Sequence, residues 1–149
     1  MLGYWNDDEA TAAAIDAARW MHTGDLAVMN GDGAVAITGR IKDMIIRGGE
    51  NVSPREIEEF LHTHEKVSDV QVIGVPDPKY GEEVCAWIQM KPGRQALDAQ
   101  AVREFATGKL AHYKIPRYVH VTEEFPMTVT GKVRKVDMRE EMVKLLGLT

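Results

Sequence analysis

The sequence predicts an α+β domain: a small, mainly antiparallel sheet flanked by helices. Three observations carry this. Two strand-like runs, Val67–Val75 and Val84–Met90, lie close together around a turn-rich Pro76–Gly81 connection. Amphipathic helical patterns stand before and after them, at residues 53–61, 98–110 and 137–146. The length of 149 residues and 44% apolar composition suffice for one ordinary domain with a proper core.

Residues 8–19 are alanine-rich with little apolar bulk, so they predict a short helix that needs a larger body to pack against. Leu26–Met29 and Ala34–Thr38 flank Asn30-Gly-Asp-Gly33, a strand, turn and strand signal. A two-stranded ribbon is marginal unless something covers it. The first forty residues therefore read as the edge of a larger structure, and their exposed apolar residues could also pair two copies of the chain.

Beyond residues 40–42 the pattern is that of an independent domain. Ser53, Pro54 and Glu56 form a helix start, with a serine cap, a first-turn proline and an acid placed to return a capping bond. Ile57, Phe60 and Leu61 give that helix one buried face. Val70/Val72 and Ile73/Val75 load both faces of the next strand, as in a central strand covered on each side. Leu97 and Val102 bracket Asp98 as a hydrophobic staple, opening a helix through about Leu110. Tyr118–Thr122 adds a short edge strand. Asp137 and Glu140 stand at capping-box spacing for a last helix with Met138, Met142, Leu145 and Leu146 toward the core, and Gly147 stops it.

With 149 residues and 44% apolar composition, the chain can form one ordinary domain with a small appendage, but not two large ones. The net charge of −5 supplies no field that would draw nucleic acid or an anionic membrane. No apolar stretch reaches the length of a membrane span, and no secretory leader pattern opens the chain. Cys85 is the single cysteine, in apolar surroundings, so it predicts a buried thiol and is compatible with a reducing, cytoplasmic setting.

Lys132, lifted on Gly131 within Phe125-Pro-Met-Thr-Val-Thr-Gly-Lys132, is placed to bring a mobile ammonium to a charged reacting group; a purely structural basic loop is the alternative. Gly48 and Gly49 make either a structural hairpin turn or a loop that lets a ligand approach the backbone closely. Asp25 could accept from a sugar diol and Arg40 donate to it; equally, the two could brace the hairpin. Lys42, at the boundary, could mark a pivot or face water. Lys109, His112, Lys114 and Arg117 read as a solvated helix end. The five histidines show no metal-ligand spacing, so no metal ligand is assigned.

These motifs together resemble the end of an acyl-CoA synthetase of the adenylate-forming, AMP-binding family. The match runs over nearly the whole chain. It is carried by Gly3-Tyr-Trp5, Trp20-Met-His-Thr-Gly-Asp-Leu26, Gly39–Glu59, Val75-Pro-Asp77, Tyr80-Gly-Glu-Glu83 and Pro126–Lys132, in the family's order. The resemblance implies that residues 1–41 are the terminal hairpin segment of a larger N-terminal domain, and 42–149 the C-terminal lid domain. It further implies that Asp25 and Arg40 bind the ribose hydroxyls of ATP, Lys42 is the hinge, Gly48 and Gly49 line the CoA passage, and Lys132 assists adenylation. Arg47 would either approach CoA phosphate or support the hairpin. The cofactors would be ATP, Mg²⁺ held on the nucleotide, and CoA. The partners would be the N-terminal domain and a carboxylic acid, with a fatty acid favoured. The isolated chain is expected to be inactive. Transfer to a carrier protein, or a noncatalytic interaction module, are the competing readings.

Overall fold

In the computed structural model, which describes residues 1–148, the chain separates into two compact units, Met1–Lys42 and the residues from Asp43 onward.

The first unit begins with helix α1 (Asp8–Ala14), capped by Asp7, whose carboxylate accepts the Ala10 N–H at 2.8 Å. Alanine propensity alone does not carry α1 to residue 19. Ile15 leaves helical geometry as the cap, and Arg19 takes a positive φ in the turn that follows. Strands β1 (Asp25–Met29) and β2 (Val35–Arg40) pair antiparallel, with an irregularity between Leu26 and Ala27. This ribbon exposes Val28, Met29, Val35 and Ile37, while Trp5 elsewhere in the unit is 97% exposed.

The second unit is a five-stranded mixed sheet. Its path runs β4 (Glu50–Val52), β3 (Ile45–Arg47), β6 (Gly81–Met90), β5 (Val67–Asp77), and β7 (Tyr118–Val121) also pairs with β6. All pairings are antiparallel except β6 with β7, which are joined through helix α3 (Ala99–Ala106) as a parallel neighbour requires. Helix α2 (Pro54–His62) contributes Ile57 and Leu61 to one apolar cluster with Val70, Val72, Val84 and Val102. Helix α4 (Lys135–Leu146) contributes Met138 and Met142 to a second, with Ile73, Val75, Cys85 and Trp87. The alternation of β5 and β6 side chains between these clusters explains the doubly apolar strands.

Several boundaries depart from the sequence reading. Strand β5 is buried on both faces yet lies at the end of the sheet path, so its burial reflects two covering helices and not a central position. Ser53 occupies the cap of α2 without a side-chain capping bond, and Glu56 instead takes both bonds from Lys114 Nζ, at 2.7 and 2.8 Å. Helix α3 stops at Ala106, where the Thr107 hydroxyl donates to the Arg103 carbonyl and Gly108 turns the chain, short of Leu110. Helix α4 starts two residues early and has no Asp137–Glu140 box: Asp137 pairs with Arg134 at 3.0 Å. Leu145 and Leu146 are exposed, because the core-facing stripe ends at Met142. Gly147 caps the helix in the left-handed region, as its position predicted.

Candidate functional site

The first unit places Asp25 and Arg40 opposite each other at the open end of the β1–β2 ribbon. Arg40 Nε donates to Asp25 Oδ1 at 2.9 Å. The carboxylate is three-quarters buried and the guanidinium two-thirds exposed. One oxygen of Asp25 and the remaining Arg40 N–H groups are thus available to a donor-acceptor pair such as a diol. Lys42 lies exposed in the 3₁₀ turn Ile41–Asp43 that follows.

In the second unit, Gly48 and Gly49 are the two central residues of the β3–β4 hairpin, with φ of 59° and 88°. Positive φ at both positions is the two-residue turn that matches strand twist, and glycine adopts it without a Cβ penalty. The turn is exposed, and Gly48 N–H donates to the Tyr80 carbonyl at 2.8 Å. Behind it, Arg47 makes a fork on Glu83, at 2.9 and 2.8 Å, and lies 4.3 Å from the Tyr80 ring centre. Arg47 therefore supports the hairpin. The Glu83 hydrogen bonds hold its guanidinium above the ordinary arginine range against the cost of burial. A cleft of about 440 Å³ opens here, lined by Arg47, Tyr80, Arg103, His112 and Arg117 among others.

Lys132 stands on a braced loop. Phe125 anchors the loop in the core, Met127 bridges Val133, and Arg134 N–H donates to the Pro126 carbonyl at 2.8 Å. The Thr128 hydroxyl accepts the Lys132 N–H at 3.0 Å and lies 2.9 Å from the Thr130 hydroxyl. Gly131, at φ 76°, closes the turn. Among the described residues the Lys132 ammonium meets no acceptor. Its basic neighbours differ: Arg134 pairs with Asp137, Lys135 with Glu58, and Arg139 with Glu82. The basic stretch before β7 is likewise committed, Lys114 to Glu56 and Arg117 to Asp77. Among the described residues no hydrogen bond or ion pair joins Lys132 to the glycine turn.

Sequence reasoning missed the carboxylates that organise these elements. Glu82 and Glu83 lie between the expected Pro76–Gly81 connection and the expected strand from Val84, yet both belong to β6, and Glu83 is only 1% exposed. Two acids opening an otherwise apolar strand were the available signal. Asp77 was also missed: hydrogen bonds from the backbone N–H groups of Tyr80 and Lys79, with the charge of Arg117, hold its carboxyl below the usual range.

Cys85 is buried against α4, and burial pushes its thiol up to about 12. His62 meets Asp69 at 3.2 Å, while His64 packs edge-on to Phe105 and accepts the Lys66 N–H at its Nδ1. Among the described residues no cluster of three His, Cys, Asp or Glu side chains could hold a metal ion, and no helix is long and apolar enough to cross a membrane.

A small mixed sheet packed by helices, with a two-stranded ribbon before it in the chain, is a fold this chain shares with the C-terminal part of adenylate-forming enzymes. The chain belongs to the AMP-binding enzyme C-terminal domain family, whose pattern matches residues 56–132. It is 52% identical to a putative acyl-CoA synthetase, YngI, of Bacillus subtilis, over the whole of this chain and 27% of that protein. It is 47% identical to the human mitochondrial medium-chain acyl-CoA ligase ACSF2, over 99% of this chain and 24% of that one. The crystal structure of ATP-bound MatB from Rhodopseudomonas palustris superposes with a TM-score of 0.88 at 35% identity, covering 96% of this chain and 28% of MatB. The chain thus spans about a quarter of the length of these relatives.

Proposed function

We propose that the chain is the lid portion of an ATP-dependent acyl-CoA synthetase, and that Lys132 assists formation of the acyl-adenylate. The observation that carries this reading is the exposed, unpartnered ammonium of Lys132 on a hydrogen-bonded loop, among basic neighbours already paired with carboxylates. An uncommitted charge on a braced loop can meet the oxygens of the attacking carboxylate and the α-phosphate, where negative charge shifts during the reaction. It stabilises that charge without abstracting a proton.

Asp25 and Arg40 take the ribose hydroxyls, one as acceptor and one as donor; their facing arrangement at the ribbon end supports this. Residues 1–41 belong to the N-terminal domain and residues 42–149 form the lid, with Lys42 as the hinge. The parting of two compact units after Lys42 supports that division. After adenylation the lid turns about Lys42, withdraws Lys132 and presents Gly48 and Gly49, which offer no side chain to obstruct the CoA thiol. ATP brings Mg²⁺ on its phosphates, and no side chain of this chain is assigned to it. The names of the relatives favour a fatty acid of medium length as the acid substrate. The single, buried cysteine fits a cytoplasmic setting, although the ACSF2 relatives are named as mitochondrial.

The test is Lys132→Ala in the full-length enzyme, with the two half-reactions measured separately. Carboxylate-dependent pyrophosphate release should fall by about 10²–10³-fold, the scale of losing one transition-state charge contact. Acyl-CoA formation from supplied acyl-adenylate should change little. Small and equal effects on both would favour a noncatalytic module.

A further inference from the structure

The ribbon that carries Gly48 and Gly49 is slight. Each strand has three residues, and β3 joins β6 through a single ladder pairing, Arg47 with Gly81, next to the Gly48–Tyr80 hydrogen bond. A two-stranded ribbon of this size is marginal alone. Its base is anchored by Ile45 and Val52, both buried in the first apolar cluster; its turn end is held by a pair of adjacent carboxylates at the start of β6. Glu82 Oε2 accepts the Ile46 N–H at 2.8 Å, and Glu82 Oε1 accepts from Arg139 of α4 at 2.6 Å. Glu83 takes the two-pronged bond from Arg47, with Arg117 3.7 Å away and itself tied to Asp77.

Successive strand side chains leave on opposite faces, so the two acids grip β3 from both sides of the sheet. The Tyr80 ring completes the clamp: a Cβ on Gly48 would stand 3.2 Å from it. An apolar pair would hold a sheet edge at least as cheaply as a buried ion pair. What the fork adds is direction, because two parallel bonds fix the angle of Arg47 and hence of the turn that follows it.

We propose that Glu82 and Glu83 are positioning residues for thioester formation, acting through Ile46 and Arg47 to hold the Gly48–Gly49 turn in the path of the incoming thiol. This rests on the role given to that turn above. Among the described residues Glu83 and Arg47 make no hydrogen bond to the Lys132 loop, whereas Glu82 reaches α4, which follows that loop, through Arg139; disturbing the Glu83–Arg47 half of the clamp should therefore separate the two half-reactions.

The experiment uses the full-length enzyme with Glu83→Gln and Arg47→Lys, each assayed for pyrophosphate release and for acyl-CoA formation from supplied acyl-adenylate. In Glu83→Gln the thioester step should lose about tenfold or more in kcat, the scale of a small misplacement. Its KM for CoA should shift less than its kcat, and adenylation should stay within about twofold because the Lys132 loop keeps its own bracing. Arg47→Lys keeps the charge but not the fork, so its loss should be intermediate; it carries the test if Glu83→Gln does not fold. Equal losses in both steps, or none, would overturn the proposal. Gly49→Leu separates the two levels of inference. If it spares adenylation and blocks the thioester step while the Glu83 and Arg47 variants are unselective, only the positioning role fails. If Gly49→Leu is itself unselective, the role of the turn fails, and the positioning proposal with it.

Discussion

Lys135 Nζ lies 2.7 Å from Glu58 Oε1, and the two groups close the outer edge of β5 at one residue: Glu58 accepts the Val72 N–H, and Lys135 donates to the Val72 carbonyl. An exposed strand edge with unpaired backbone groups invites association with another chain. Here α2 and α4 each send one charged side chain to that edge, so a single bridge ties both helices to the sheet. Replacing Glu58 with alanine leaves the Val72 N–H and the Lys135 ammonium without this acceptor in a partly buried position. The expected loss of stability is about 1–3 kcal/mol, read from the denaturant midpoint. A change below about 0.5 kcal/mol, the ordinary range for an uninvolved surface site, would show that the bridge is ornamental.

Cys85 should be inert in the folded protein. Its thiol is buried among Trp87, Phe125 and Met138, and burial raises it to about 12, so almost no thiolate exists at pH 8. A disulfide reagent should therefore label the denatured chain fully and the native chain at no more than the rate of unfolding. Rapid labelling without loss of structure would contradict the packing.

How much of this was legible beforehand follows from range. The α2 face, the β5–β6 pair, the Asp98 cap and the Gly147 stop all depend on residues within a few positions of one another, and periodicity and turn chemistry find those. Lys132 was visible because a glycine lifts it from an apolar run. The Arg47–Glu83 and Lys135–Glu58 pairs join residues 36 and 77 positions apart, which no local pattern reports. The same limit explains Glu56: its spacing from Ser53 suits a capping box, but Lys114, 58 residues away, takes the carboxylate. The short α1 errs in the opposite sense, because alanine propensity extends a helix only where packing rewards it.

His64 makes stability depend on pH in the mildly acidic range. Its ring packs against Phe105 and its Nδ1 accepts a backbone N–H, an arrangement that requires the neutral form; burial and then the Lys66 charge hold its pKa below 6.5. A histidine depressed in the folded state binds fewer protons than in the unfolded chain. Its neutral form costs nothing above the unfolded value, and stability is lost as pH falls through 6.5 toward the lower folded value. His64→Gln should flatten that part of the pH–stability profile. An unchanged slope would assign the dependence to other groups.

Asp25 and Arg40 offer a test that separates binding from folding. Their contact lies on a two-stranded ribbon with the Arg40 guanidinium two-thirds exposed, and an ion pair with one partner this open to solvent contributes about 0–1 kcal/mol. Asp25→Ala in the full-length enzyme should therefore move the thermal midpoint little. If the carboxylate accepts from the ribose, its loss should raise the KM for ATP by about tenfold, since hydrogen bonds to a charged group are worth about 1.5–3 kcal/mol. The KM for the carboxylic acid should hold steady. A large drop in thermal midpoint with an unchanged KM for ATP would return the pair to hairpin bracing alone.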